Sequence, residues 1–409
     1  MAQYDHDTLS AALKEYYSGA EVPNLVYPNN PFYGMIKKER IGGKYYDFPV
    51  EYELPASRSA DITKALANKS ASSLAEFNVP VVKDYIAISI DRETMSATEK
   101  NEMAFFSART RAIDSALKQL VRSLAMGMYR NKGGAVGKIA TGGITTNAIT
   151  LDDIEEIANF GKGDRIVLSA NDGSAAAHTL LAGSVLVVTN VTRDTGVLTF
   201  DVNVTAAFAA AAAGNFMFKD GDFKVKIAGM DSWCPQTAPT AGDSFYAADR
   251  SPDPSRLAGT RYNGIGLAMS EAFLSGAARL GREGVTPTHI FTNPVNVKNL
   301  TVELGNNAVY DMSKVDDADV GFKSIVFQTG QGNVNVHADH NCPAKRSYIT
   351  RLDAWLMVHS SKAVPEIQDE DGGVLFREAG SDGYEVRASY YANQIAVNPQ
   401  ETCVVTHSS

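Results

Sequence analysis

From Asp91 to Met126 the chain reads "DRETMSATEKNEMAFFSARTRAIDSALKQLVRSLAM", with neither Gly nor Pro. Met103, Phe106, Thr110, Ile113, Leu117, Leu120 and Leu124 step by three and four, which lays one stripe along a helix with a polar break at Thr110. Glu93, Glu99 and Glu102 come early, and Arg109, Arg111, Lys118, Arg122 and Arg130 come late, the order that a helix dipole favours. If the helix is continuous, it spans about 50 Å at 1.5 Å per residue. A helix longer than a small domain is wide needs elements from elsewhere in the chain to cover its stripe.

The residues ahead of it supply little cover. "LSAALKEYYSG" suits a short helix, but Pro23, Pro28 and Pro31 break the next stretch. Residues 1–40 are too apolar for a disordered segment and too interrupted to fold alone, so they read as an arm that packs against something else. Residues 41–91 read as an extended flap. Two strand-like runs, Lys44 to Leu54 and Glu76 to Ile90, flank a soft middle rich in Ala, Ser, Lys and Asn. Ile86, Ile88 and Ile90 alternate onto one face. A two-stranded ribbon is marginal in water and wants a neighbouring surface.

Beyond the helix, "NKGGAVGKIATGGITTN" reads as a Gly-rich break, where Gly133, Gly134 and Gly142 let the chain turn away. Residues 151–224 read as a small inserted unit, a β-barrel or sandwich, with "RDTG" joining two strands in a hairpin. Residues 225–284 contain a Pro-broken stretch and then a helix around "MSEAFLSGAARL"; residues 285–409 are β-rich with helical interruptions. The fold class is α+β, and no internal repeat is visible.

The charge balance is −9, from 38 basic and 47 acidic residues, which argues against a broad nucleic-acid-gripping face. Cys234, Cys342 and Cys403 are the three cysteines, with no C-x-x-C pair, so neither a disulfide framework nor a structural zinc site is expected. The first residues lack the apolar core of a signal peptide, and no apolar run reaches bilayer-spanning length.

Enzymatic constellations are missing too. His337, Asp339, His340 and Cys342 fall within "NVHADHNCPAKRSYI" and could ligate a metal. "NVNV" and "RSYI" instead read as strands around a turn containing Pro343, and no second ligand cluster is found. Gly242 to Ser244 is similar to the Gly-Asp-Ser block of some esterases, yet it lies in a Pro-rich loop with no Asp-x-x-His near the end of the chain. No phosphate loop, nucleophile elbow or H-E-x-x-H helix occurs. The acidic run Asp369 to Asp371 lacks the spacing of a calcium loop and reads as a solvated turn. No cofactor, metal or catalytic residue is expected.

The order of parts resembles the major capsid protein of tailed bacteriophages, whose fold is shared with herpesvirus capsid proteins and encapsulins. "FNVPVVKDYIAISI" leading into "DRETMSATEKNEMAFF" is similar to that family's flap and spine helix. "PTHIFTNPVNVKNL", "GNVNVHADHNCPAKRSYI" and "YEVRASYYANQIAVNPQE" are similar to its later parts. The resemblance implies an N-terminal arm (1–40), a flap (41–91), a peripheral domain with the spine helix (92–150), an inserted domain (151–224), a return to the peripheral domain (225–284) and an axial domain with late strands returning to the peripheral one (285–409). It also implies self-assembly as hexamers and pentamers into an icosahedral shell around double-stranded DNA. Scaffolding protein and portal would be partners, as would any decoration protein, with no membrane, in a virion assembled in the host cytoplasm. Tyr27, Phe32, Tyr33, Tyr45, Tyr46 and Phe48 are the expected inter-subunit anchors, because aromatics dominate interface energetics. Lys64 and Lys69 occupy the flap region where some relatives cross-link, but no bond partner is identifiable. His337, Asp339, His340 and Pro343 form the expected axial-domain turn. An encapsulin-like compartment and a hydrolase with a β-rich module are the alternatives.

Overall fold

The computed structural model describes residues 30–92, 102–304, 325–368, 376–378, 380 and 382–407. The rest of the arm, with Tyr27, the acidic run at Asp369 to Asp371 and the first part of the expected long helix lie outside the described residues. The spine helix is Glu102–Gly127, 26 residues, or about 39 Å at the α-helical rise. Its inner face buries Ala116, Leu120, Val121 and Leu124. Each large aliphatic side chain so covered contributes about 1.5–3 kcal/mol.

That face lies on a six-stranded sheet built around one long strand, Gly383–Ala396. Val82–Asp91 pairs antiparallel with it from Gly383↔Asp91 to Ala392↔Val82. Trp355–His359 pairs further along, and Lys37–Arg40 adds a parallel edge. The expected second flap strand is therefore two strands. Ser73–Pro80 pairs with Tyr45–Glu53 to make the flap, whereas Val82–Asp91 belongs to the central sheet. The division falls at Pro80, whose ring nitrogen has no proton to donate. Between the flap strands, the tip carries one short helix, Ile62–Ala67, capped by the Asp61 carboxylate.

A second six-stranded sheet runs in the order Thr260–Asn263, Thr402–Thr406, Arg346–Thr350, His289–Thr292, Gly332–Ala338, Ile325–Thr329. Helix Met269–Arg282 packs on it through Ala272, Phe273, Ala277 and Leu280, and Pro294–Leu304 packs against that helix. This second sheet is labelled the axial sheet after the expected domain at 285–409 that supplies most of its strands. Its strands Gly332–Ala338 and Arg346–Thr350 flank His289–Thr292 rather than each other, so the segment between them crosses over one strand.

The β-rich insertion is a closed six-stranded barrel with its own core, including Ile139, Ile149, Leu168, Leu198 and Met217. Its first strand, Ala135–Ile144, comes from the stretch expected to be a Gly-rich break, and its second, Ala148–Leu151, follows directly after that stretch. Gly137 sits within the first because a Cβ there would lie 3.0 Å from the Phe160 ring and 3.2 Å from Leu151. At the barrel's entry, Gly134 has φ +86°, and a Cβ would lie 2.3 Å from the Asp222 carbonyl oxygen. Gly134→Ala is expected to cost at least about 2 kcal/mol in denaturant titrations, since it combines left-handed strain with a backbone collision.

Candidate assembly surfaces and the axial turn

The crossover after Gly332–Ala338 is a hydrogen-bonded hub. Asp339 is 1% exposed. Its carboxylate accepts from the Tyr129 hydroxyl at 2.9 Å and from the Asn341 backbone and side-chain nitrogens, each at 2.9 Å. Burial pushes the Asp339 carboxyl above its usual range, while these donors pull it back. Asn341 also donates to Asn30 at 2.8 Å, Asn293 donates to the Cys342 carbonyl at 3.0 Å, and Asn296 to that of Ala344 at 2.8 Å. The hub ties the end of the arm and the end of the spine helix to the axial sheet. Pro343 is buried in the same crossover, and its carbonyl accepts from the Arg346 amide at 3.3 Å.

The four candidate ligands do not converge. His337 stacks on His289 and Phe291, with ring centroids 5.3 and 5.5 Å away. His340 points outward and is half exposed, and the Cys342 thiol lies against backbone carbonyls, its acidity suppressed by burial. Among the described residues no three His, Cys, Asp or Glu side chains gather closely enough to hold a metal. Gly242 to Ser244 leads into a two-stranded hairpin, Ser244–Phe245 with Ala248–Asp249.

The aromatic candidates divide by burial. Phe32 and Tyr33, on the short helix Pro31–Met35, are 0% and 1% exposed within their own chain. Phe32 meets Phe291 at 4.9 Å, Tyr129 at 5.6 Å and Trp355 at 5.9 Å. The Tyr33 hydroxyl donates to the Val364 carbonyl. Tyr46 and Phe48 are half-buried, on the flap face that packs onto the body. Phe48 stacks on Phe77, which meets Trp233 at 5.4 Å, and Trp233 meets Phe245 at 5.0 Å. Tyr45 is 44% exposed on the opposite flap face. Lys64 and Lys69 are exposed near the tip, where Leu54, Ile62, Leu66 and Leu74 are also open to solvent.

One node has no counterpart among the residues picked from the sequence. Lys226 is 8% exposed, and its Nζ lies 2.6 Å from Asp84 and 3.1 Å from Asp222. The hydroxyls of Ser123 and Tyr390 donate to the same Asp84 oxygen at 2.8 and 3.1 Å. The group joins the barrel's exit to the central sheet and the spine helix. Its sequence signal is small: Asp84 occupies the face that Ile86, Ile88 and Ile90 make apolar.

No protein-family model matches this chain, and no curated protein matches it. Solved structures do. The Cyanophage A-1(L) capsid asymmetric unit aligns over 98% of this chain and 98% of its own, at TM-score 0.56 and 12% identity. The capsid of a native GTA particle aligns over 99% and 98%, at TM-score 0.47 and 8% identity. Mycobacterium phage Ogopogo aligns over 98% and 99%, at TM-score 0.44 and 9% identity. Of these three, the cyanophage capsid is the one whose TM-score marks a shared fold. Its match covers 98% of both chains, and so this chain shares the α+β fold of that cyanophage capsid structure.

Proposed function

We propose that the chain is a major capsid protein, a structural subunit rather than an enzyme. Copies would join as hexamers and pentamers into an icosahedral shell around packaged double-stranded DNA. The observation that carries this reading is the full-length likeness to a capsid subunit. The flap adds a physical reason. Its tip holds four exposed aliphatic side chains, Leu54, Ile62, Leu66 and Leu74, on a two-stranded ribbon with no third strand among the described residues. Such a surface gains most from a neighbouring subunit. Tyr45, Lys64 and Lys69 extend the same outward surface, and the inner flap face with Tyr46 and Phe48 sets its angle to the body.

On this reading the axial sheet faces the symmetry axes, the barrel is the inserted domain expected at residues 151–224 but beginning earlier, at Ala135, and scaffolding, portal and decoration proteins are partners in the virion. The acidic balance of −9 keeps the shell from trapping the DNA it holds. The full chain, expressed alone and viewed by electron microscopy with light scattering, is expected to give shells, tubes or capsomers. Host cargo inside would favour an encapsulin-like compartment. A stable monomer at high concentration with hydrolase activity would overturn the capsid reading.

The tip can be tested separately. Ile62→Ala with Leu66→Ala is expected to change the stability of the unassembled chain by less than about 0.5 kcal/mol, as exposed positions do. Sedimentation should show that the same double variant no longer forms large particles.

A further inference from the structure

His289 and Phe291 alternate onto one face of strand His289–Thr292, and His337 lies beside them on the parallel neighbour, opposite Phe291. The two imidazoles and the phenyl ring are stacked within 22° of parallel. Phe291 in turn meets Phe32, the arm's buried ring. The stack is therefore part of the contact that holds Pro31–Met35 to the axial sheet. His289 Nδ1 has the Thr288 hydroxyl at 2.7 Å. His337 is 5% exposed, and among the described residues neither of its ring nitrogens has a hydrogen-bond partner.

Among the described residues, a cation formed there would have nothing to pair with. Of these, the sheet offers His289, a second base. The adjoining crossover offers Asp339, already occupied by Tyr129 and Asn341, and His340, which points outward. The arm presents Phe32 and the spine end presents Tyr129, whose hydroxyl burial keeps protonated. Asp353 acts on His289, not on His337. Charging an unpaired buried group is strongly unfavourable, so the proton is taken up by opening the joint.

We propose that the His289–His337 stack is an acid-sensitive joint: on acidification the axial sheet releases the Pro31–Met35 segment while the spine helix and the central sheet stay folded. Burial first, and then His289, hold His337 down from 6.5 to about 3. An opened segment takes the proton that the closed one refuses, so the joint weakens as pH falls from 6.5 toward that value. Each pH unit in this window favours the open form by about tenfold. His407, held down to about 4 by burial, lies against Phe273 near the axial helix, so its own acid response falls elsewhere.

Site-resolved hydrogen exchange on the full chain separates these effects. The amides of Gly34 and Ile36, bonded to the carbonyls of Asn30 and Phe32, report the joint. Relative to intrinsic rates, their exchange is expected to rise by about tenfold or more between neutral pH and about pH 4.5. The spine-helix amides should keep their protection. His337→Phe, which retains a stacking ring, should abolish the rise. If that variant does not fold, exchange of the histidine ring proton at C2 in the wild-type chain reads His337 directly. Overturning results are unchanged protection at Gly34 and Ile36, an equal rise in His337→Phe, or a His337 that titrates like an exposed imidazole.

Discussion

Lys226→Ala is expected to destabilise the chain by about 3–5 kcal/mol, the cost of removing one partner from a buried ion pair. The reason lies in what stays behind. Asp84 and Asp222 keep their carboxylates at 16% and 18% side-chain exposure, with no cation left between them. Burial already pushes the Asp222 carboxyl upward, and Lys226 is the main group opposing that push, with a smaller pull from Lys219. The hydroxyls of Ser123 and Tyr390 bond one Asp84 oxygen and the Tyr85 amide bonds the other, but none of these donors carries a charge. Lys226→Met with Asp84→Asn should recover part of the loss, because it removes charge from both sides and preserves the lysine stem. Urea denaturation of the single and double variants measures the coupling. The barrel's own resonances should survive in Lys226→Ala, since its core is closed without this node. A loss below about 1 kcal/mol in Lys226→Ala would mean that the node is effectively solvated and that the barrel is held by other contacts.

Legibility in the sequence depends on which residues interact locally. The spine helix can be read because its stripe repeats within one element, and Leu120 and Leu124 from that stripe are buried. The hairpin at "RDTG" can be read because its two strands, Leu186–Thr192 and Val197–Phe200, are neighbours in sequence and pair antiparallel. The strand Ala135–Ile144 cannot, because its glycines look like breakers, and Gly137 is required by the Phe160 ring that arrives later in the chain. Val82–Asp91 is legible as a strand, but its partner is not. Its alternation records a buried face, not the identity of Gly383–Ala396 across the sheet. The axial turn is recognisable as a turn, whereas its role as a hub needs Tyr129 and Asn30, far away in sequence. For the same reason composition cannot divide the aromatic candidates: an apolar side chain looks the same whether its cover comes from its own chain or from a copy.

Phe32→Ala decides that division for the arm. Its ring is 0% exposed and contacts Phe291, Tyr129 and Trp355, which come from the axial sheet, the spine end and the central sheet. Truncating a buried Phe in such a place costs about 3–5 kcal/mol, from lost transfer energy and from the cavity left behind. The loss is expected in the unassembled chain, read by urea denaturation, because every one of these partners is intramolecular. Tyr45→Ala, at a side chain 44% exposed on the outer flap face, should leave that same stability within about 0.5 kcal/mol. On the capsid reading its effect is expected in assembly, measured by sedimentation. The two variants thus pull apart what residue type alone joins: one aromatic packs against its own body, and the other faces solvent, where the capsid reading places a neighbour. If Phe32→Ala left the single chain as stable as before and abolished particles instead, its ring would have to leave this core for another subunit on assembly, and the arm would owe its order to copies of the chain rather than to the axial sheet beneath it.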